Sequence, residues 1–460
     1  MQTYYHSVTL DKEKCMGCTN CIKRCPTEAI RVRDGKAHII AERCIDCGEC
    51  IRVCPYHAKV AVTDPLTSIN RFKYKIALPA PSLYGQFKKL ASIEKVLQGL
   101  LALGFDYVFE VARGAEFATE FIKYRMKDQH LERPIISSAC PAIVRLIQVR
   151  FPELIPNLID VESPMEIAAQ MAKNEFSKKY GVDKKDIGAF FITPCAAKMT
   201  SIRNPIGIYK SSVDGAISIL DIYGPLSTVM GNGSSSNGQE FLQKATAVGV
   251  GWAKSGGEGR SLDIDNYLAV DGIINVIKVL EEIENGKLYD LDFFEGLACI
   301  GGCLGGPLVF ENNFVAQNRL KKLIAKMEPH ELISSDEIEQ AINQCEWKWN
   351  KEILPKPVMK LDDDIFSAIK KMEELERIYA DLPGLDCGSC GAPSCRTLAE
   401  DIVRGHASEL DCIIKFREKV RILAQEMIEL SDHIPTGKER KPNDKEEKDE
   451  NKRNYQKYTR

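Results

Sequence analysis

The stretches CMGCTNCIKRCP (residues 15–26) and CIDCGECIRVCP (residues 44–55) are two copies of one pattern. Cys15, Cys18, Cys21 and Cys25 recur as Cys44, Cys47, Cys50 and Cys54, each shifted by 29, and a proline closes each set (Pro26, Pro55). Around them the chain is ordinary. Its length suggests about three domains, and 44% hydrophobic with 28% charged residues suits sizeable cores. No apolar run is long enough to predict a membrane span. The start, MQTYYHSVTLDKEKC, lacks the basic and apolar regions of a secretory leader, so a cytoplasmic protein is expected. A net charge of −3 gives no reason to expect nucleic acid. The outlier is cysteine, with 17 residues. Disulfide-rich proteins are usually short and secreted, so these cysteines read as metal ligands. Sixteen fall into groups, eight in residues 15–54, four in 140–303 and four in 387–412. Cys345, in NQCEWKWN, has no ligand-like spacing and reads as a packed or free thiol.

C-x2-C-x2-C-x3-C-P is the bacterial ferredoxin run for [4Fe–4S] clusters, in which the fourth cysteine ligates the other cluster. Cys15, Cys18, Cys21 and Cys54 are therefore expected to hold one cluster, and Cys44, Cys47, Cys50 and Cys25 the second. Zinc sites pair CxxC with CxxC and do not need two complete four-cysteine runs. The region resembles two-cluster ferredoxins throughout, which implies electron transfer. A third set, Cys387, Cys390, Cys395 and Cys412, has the spacing C-x2-C-x4-C-x16-C. It resembles the small iron–sulfur domain of electron-transport complexes and of the corrinoid protein of acetyl-CoA synthesis. Zinc is the alternative there, and His406, between the ligands, reads as a surface residue.

Between these groups, residues 66–350 read as α/β. KYKIALPAP, FDYVFEV and IGAFFITP are strand-like apolar runs, and SIEKVLQGLLALG and MEIAAQMAKNEFSKKYG are helical. MGNGSSSNGQE (230–240) reads as a flexible loop. In DDDIFSAIKKMEELERIYADLPG, Ile365, Ile369, Met372 and Leu375 predict an amphipathic helix. Residues 433–460 are polar and mixed in charge, the composition of a disordered tail.

The central cysteines lie in three separate peptides, SSACPAIV (137–144), ITPCAAKM (192–199) and EGLACIGGCLGGP (295–307). Singly each is weak, because a cysteine beside a proline is usually packing. Together, and in this order, they resemble the three signature segments of [FeFe] hydrogenases, over roughly residues 1–350. The resemblance implies that Cys140, Cys195, Cys299 and Cys303 hold the cubane of an H-cluster. Cys303 would also bridge to a two-iron subsite carrying CO, cyanide and an azadithiolate. Lys198 matches the lysine that donates to a cyanide ligand, and Gly301, Gly302, Gly305 and Gly306 would let backbone approach the cluster. The implied fold is α/β. A two-lobed H-cluster domain (66–355) follows an N-terminal α+β two-cluster ferredoxin domain (1–65). A small, mainly helical C-terminal iron–sulfur domain (356–430) and a polar tail (431–460) complete the chain. The implied reaction is 2H⁺ + 2e⁻ ⇌ H₂. The implied cofactors are four [4Fe–4S] clusters plus the subsite. The implied partners are H₂ and protons, an electron carrier such as ferredoxin or a signalling protein, and maturation proteins. Nucleic acid and membrane are not expected, and a homo-oligomer is left open.

The pattern also breaks. Ala139 stands where prototypical hydrogenases have a cysteine that hands protons to the subsite. Thr193 and Leu297 replace methionines, and Pro307 cuts the glycine run short. VFEVARGAEFATEF is several residues shorter than its usual counterpart. Glu116 and Glu120, four apart on an expected helix, and Glu295 on the third segment are candidates for a substitute proton relay. For the first two the plain alternative is a solvated helix face. These departures resemble the sensory branch of the family, which implies slow turnover and a role in sensing H₂ or redox state. The competing reading is a non-catalytic iron–sulfur carrier or cluster-assembly scaffold without the two-iron subsite. Sixteen irons would accompany four cubanes, and eighteen a chain with the subsite.

Overall fold

The computed structural model describes residues 5–231, 242–327, 335–344 and 347–432. Cys345, the tail 433–460 and most of the loop expected at 230–240 lie outside the described residues. The described residues divide into two units, with the boundary between His406 and Ala407.

Every residue of Ile187–Thr193 is buried, and a strand covered on both faces is what a parallel sheet produces. It pairs with Tyr74–Pro79 on one side and Gly215–Ser218 on the other; Tyr107–Val108 adds the far edge, and all four strands are parallel. A second parallel sheet has the order Tyr267–Asp271, Phe293–Leu297, Ile135–Ile136. The run FDYVFEV forms a shorter strand than its composition predicts. Helix Val111–Arg125 begins directly after Glu110, whose extended backbone turns the chain. The connections at the carboxyl ends of the strands carry the central cysteines, the usual place for a ligand in open α/β sheets. Cys195 follows Thr193, Cys299 follows Leu297, and Cys140 follows the strand Ile135–Ile136.

The ferredoxin-like segment closes its ends with the antiparallel pair Val8–Leu10 and Lys59–Ala61. The hairpin Ile30–Arg33 and Lys36–Ile39 joins its halves. The repeat seen in the sequence is a repeat in the backbone. Short helices Asn20–Lys23 and Glu49–Arg52 are both entered through a left-handed residue, Thr19 (φ 64°) and Gly48 (φ 74°). Both halves end on another, Glu28 and His57, each at φ 49°. At Gly48 the glycine is also a close approach, because a Cβ there would lie 2.5 Å from Pro307.

Helix Ile365–Asp381 forms as its periodicity predicts, but its apolar stripe is only half used. Leu375 and Ile378 are buried, whereas Ile365, Ile369 and Met372 are exposed. The partner helix Cys395–Val403 is short and meets the C-terminal half, where Arg396 pairs with Glu376 at 2.7 Å and lies over Tyr379. Helix Cys395–Val403 is in turn clamped to the ferredoxin segment by ion pairs, with Arg31 and Arg43 buried. Arg31 Nε to Asp401 is 2.6 Å, Arg33 Nη2 to Asp401 is 3.1 Å, and Arg43 pairs with Glu400. In the second unit, the turn Glu409–Asp411 leads into helix Ile413–Asp432.

Candidate active site and its cysteine-lined approaches

Cys140, Cys195, Cys299 and Cys303 line one cavity of about 890 Å³, with Ala139, Lys198, Glu258, Glu295 and Leu297 also on its wall. Both sheets contribute, so the ring exists only in the folded chain. Cys140 and Cys195 are the N-cap residues of helices Pro141–Arg150 and Ala196–Arg203. The partial positive charge of a helix start favours a thiolate there. The four sulfurs are close enough that ionising one opposes ionisation of the others. Burial, then Cys299 and Cys140, push the Cys195 thiol well up. Burial likewise pushes Cys303 up to about 12, although Lys198 pulls it down. A protein alone gains nothing from burying four such thiols together; a cationic metal centre removes that cost.

Two smaller cavities repeat the arrangement. One, of about 350 Å³, is lined by Cys25, Cys44, Cys47 and Cys50. The other, of about 330 Å³, is lined by Cys15, Cys18, Cys21 and Cys54. These are the crossed sets that the ferredoxin spacing predicts. The amides of Ala29 and Ala58, again 29 apart in sequence, donate to Cys25 Sγ and Cys54 Sγ at 3.2 and 3.3 Å. Lys59 Nζ is buried without a hydrogen-bond partner, and although burial pushes the Cys21 and Cys50 thiols up, its charge opposes that rise in both sets. An ammonium so placed fits an anionic cluster on each side.

The central cavity passes the same test with a surplus. It is more than twice the volume of either cysteine-lined cavity of the ferredoxin-like segment. Two wall atoms, Ser82 Oγ and Glu258 Oε1, are buried with no hydrogen-bond partner. A bare cubane explains neither. Lys198 Nζ donates to the Ala139 carbonyl at 2.9 Å, placing its charge on the wall. Leu297 lines the cavity, whereas Thr193 is turned inward, its hydroxyl donating to Cys195 O at 3.0 Å and accepting from Cys195 N–H at 3.1 Å. Gly302 and Gly306 line the cavity, and each is also packed closely against protein. A Cβ on Gly302 would lie 2.8 Å from Ser255 N, and one on Gly306 2.3 Å from Pro194 O.

Of the candidate acids, the fold brings Glu295 to the cavity. It is 1% exposed and accepts the amides of Gly256 and Gly259 at 3.0 and 2.8 Å. Glu116 and Glu120 share helix Val111–Arg125 but neither lines the cavity. Glu116 accepts from Thr246 N–H at 2.6 Å, and Glu120 pairs with Lys123 at 2.9 Å. Sequence reasoning missed Glu258 and Ser137. Ser137 Oγ donates to Glu258 Oε2 at 2.6 Å and accepts from Ala139 N–H at 3.2 Å. Burial, with Glu295 close by, holds Glu258 well above the ordinary carboxyl range. Burial raises Glu295 as well. Burial thus favours the protonated form of both carboxyls.

The approaches touch their neighbours through side chains of the two short helices. Arg52 Nη1 donates to Cys299 Sγ at 3.4 Å and to Gly305 O at 3.1 Å. Lys23 Nζ donates to Pro393 O at 3.0 Å and to Asp386 O, both in the peptide carrying Cys387, Cys390 and Cys395. Val32 N–H donates to Gly391 O at 2.8 Å. Cys412 belongs to the second unit.

Residues 73–262 and 258–307 match the family described as iron only hydrogenase large subunit, C-terminal domain, which is just over half of the chain. The chain belongs to the iron-only hydrogenase family. Residues 7–55 match a 4Fe-4S dicluster domain and residues 382–414 a putative Fe-S cluster segment. This hydrogenase-family chain is 32% identical over 212 residues to the periplasmic [Fe] hydrogenase large subunit of Nitratidesulfovibrio vulgaris, covering 42% of this chain and 50% of that protein. It is 24% identical over 377 residues to iron hydrogenase 1 of Clostridium pasteurianum, covering 65% and 64%. It thus spans half to just under two thirds of the length of these two relatives. The cytosolic Fe-S cluster assembly factor NAR1 of Candida dubliniensis is 31% identical over 123 residues, 25% of this chain and 20% of that one. Among solved structures, an [FeFe]-hydrogenase HydA1 variant from Chlamydomonas reinhardtii aligns at 16% identity and a TM-score of 0.47, covering 64% of this chain and 98% of that one. Among the described residues, no helix is long and apolar enough to cross a membrane.

Proposed function

We propose that the chain is an [FeFe] hydrogenase that interconverts H₂ with protons and electrons, turns over slowly and serves as an H₂ or redox sensor. The observation that carries the reading is the surplus of the central cavity over a cubane, with Ser82 Oγ and Glu258 Oε1 unsatisfied on its wall. Cys140, Cys195, Cys299 and Cys303 would hold the cubane, and Cys303 the bridge to the two-iron subsite. When bound, that group supplies an iron centre at which H₂ is made or split. The chain does the rest. Lys198 presents a cation to anionic ligands, and apolar Leu297, Ala298 and Phe191 limit water at the wall. Glu295 and Glu258 hold and release the proton, with Ser137 fixing the Glu258 carboxyl. Ala139 offers no proton-carrying atom, which supports slow delivery.

Electrons would pass along the two ferredoxin-type sites, the second of which reaches Cys299 through Arg52 and packs on Pro307 at Gly48. The contacts of Lys23 and Val32 support the Cys387–Cys395 peptide as part of an outer station beside the first site. Similarity to a cluster assembly factor, together with Ala139, favours a second reading, an iron–sulfur protein without the two-iron subsite.

Infrared spectra of anaerobically matured protein, under argon and then H₂, separate the two. The proposal expects carbonyl and cyanide bands that shift with H₂, and 18 irons per chain. No such bands after supply of the two-iron precursor, with 16 irons, would leave the second reading.

A further inference from the structure

We infer that helix Ile413–Asp432 is the interface of a homodimer, in which it pairs with the same helix of a second copy as an antiparallel two-stranded coiled coil. The helix reads IIKFREKVRILAQEMIELSD. Ile413, Phe416, Val420, Leu423, Met427 and Leu430 follow the 3-4-3-4-3 spacing of a and d positions through three heptads. All six are exposed in the single chain, from 42% at Ile413 to 71% at Met427, and every residue from Phe416 to Ser431 is exposed. A 20-residue helix with a continuous apolar seam that no described residue covers is marginal in water. Ile414, Ile422 and Ile428 take b and c positions, on the face turned away from the seam.

Charge settles the occupant and its direction. In an antiparallel pair, a and d layers match Ile413 with Leu430, Val420 with Leu423 and Met427 with Phe416, each twice by symmetry. That register sets the two g residues, Lys419 and Glu426, opposite each other across the seam, giving two reciprocal ion pairs. The parallel register would place Lys419 against Ala424 and Glu426 against Ser431, with no charge complementarity. A face that complements itself under a two-fold axis is an isologous interface. The antiparallel arrangement also keeps the two copies of Cys412, which precedes the seam, at opposite ends of the coil, about 30 Å apart.

Anaerobic sedimentation of the full chain tests this. The native protein is expected to run as a dimer, and Leu423→Asp as a monomer with unchanged iron content. Lys419→Glu and Glu426→Lys should each weaken the dimer about tenfold, since two attractions become two repulsions. An equimolar mixture of those two variants should recover native affinity, because both pairs are then opposite in sign. A native chain that is monomeric at its solubility limit overturns the proposal. So does a dimer untouched by Leu423→Asp, or binding of the monomer to lipid vesicles that Leu423→Asp abolishes. Failure of the mixture to recover overturns the antiparallel pairing. None of these readouts depends on hydrogenase activity, so the outcome is independent of the functional reading.

Discussion

Lys23 and Arg52 hold the same position in the two halves of the ferredoxin repeat, 29 residues apart, and each reaches out of the module to a different neighbour. The lysine donates to carbonyls of the C-terminal cysteine peptide. The arginine donates to a sulfur of the central ring and, through the same nitrogen, to Gly305 O. An ammonium has rotatable donors that suit scattered carbonyls, whereas a planar guanidinium can fix one sulfur and one carbonyl together. One duplicated helix has thus become an outward connector in the first half and an inward one in the second. The pseudo-symmetry lies in the backbone and the asymmetry in the side chains.

If the inward side is where chemistry happens, damage there should be greatest. Glu258→Gln and Glu295→Gln should each lower H₂ turnover by about 10²–10³, the usual worth of a positioned acid or base, without loss of infrared bands. The same pair gives a pH signature. A carboxyl kept protonated in the fold but ionised in the unfolded chain stabilises the fold fully below the ordinary carboxyl range. That contribution is lost as pH rises through the raised titration of Glu258 and Glu295. Thermal unfolding of the native protein should therefore fall with rising pH across neutrality, and Glu258→Gln should flatten the slope. Next in size, Ala139→Cys should raise turnover about 10²-fold, lowering the barrier by roughly 3 kcal/mol. No gain would place the limit in the Glu258–Glu295 pair instead. The smallest effect tests the connectors directly. Arg52→Ala should lower the potential of the central cubane, on the order of tens of millivolts, because a cation and a donor to Cys299 are removed. Lys23→Ala should leave it unchanged. Equal shifts in a spectroelectrochemical titration would erase the distinction between the halves.

The two halves also differ in how far the sequence reveals them. The crossed cysteine sets follow from local spacing, since neighbours along the chain wrap each cubane corner. The central ring comes from three peptides spread over residues 137–307 and is legible only by its resemblance to a family. Glu295 rides on the third of those peptides and could be nominated. Glu258 sits in GWAKSGGEGR, which carries no motif, and meets Ser137 across 121 residues. Lys59 looks like an ordinary strand residue until its burial between two thiol sets is seen. Periodicity overstates the burial of helix Ile365–Asp381 because it reports which face is apolar, not how long the partner is.

The clamp between Asp401 and the arginines of the ferredoxin hairpin has a bearing on synthesis. Arg31 is buried, and its carboxylate partner lies 370 residues later in the chain. During synthesis residues 15–61 leave the ribosome well before residues 391–401, with a hairpin whose edge amide at Val32 waits for Gly391 and whose cation waits for Asp401. A buried guanidinium without its carboxylate is costly, so the nascent module stays open on that face. Residues 391–401 are therefore the ones that finish the module begun by residues 15–61.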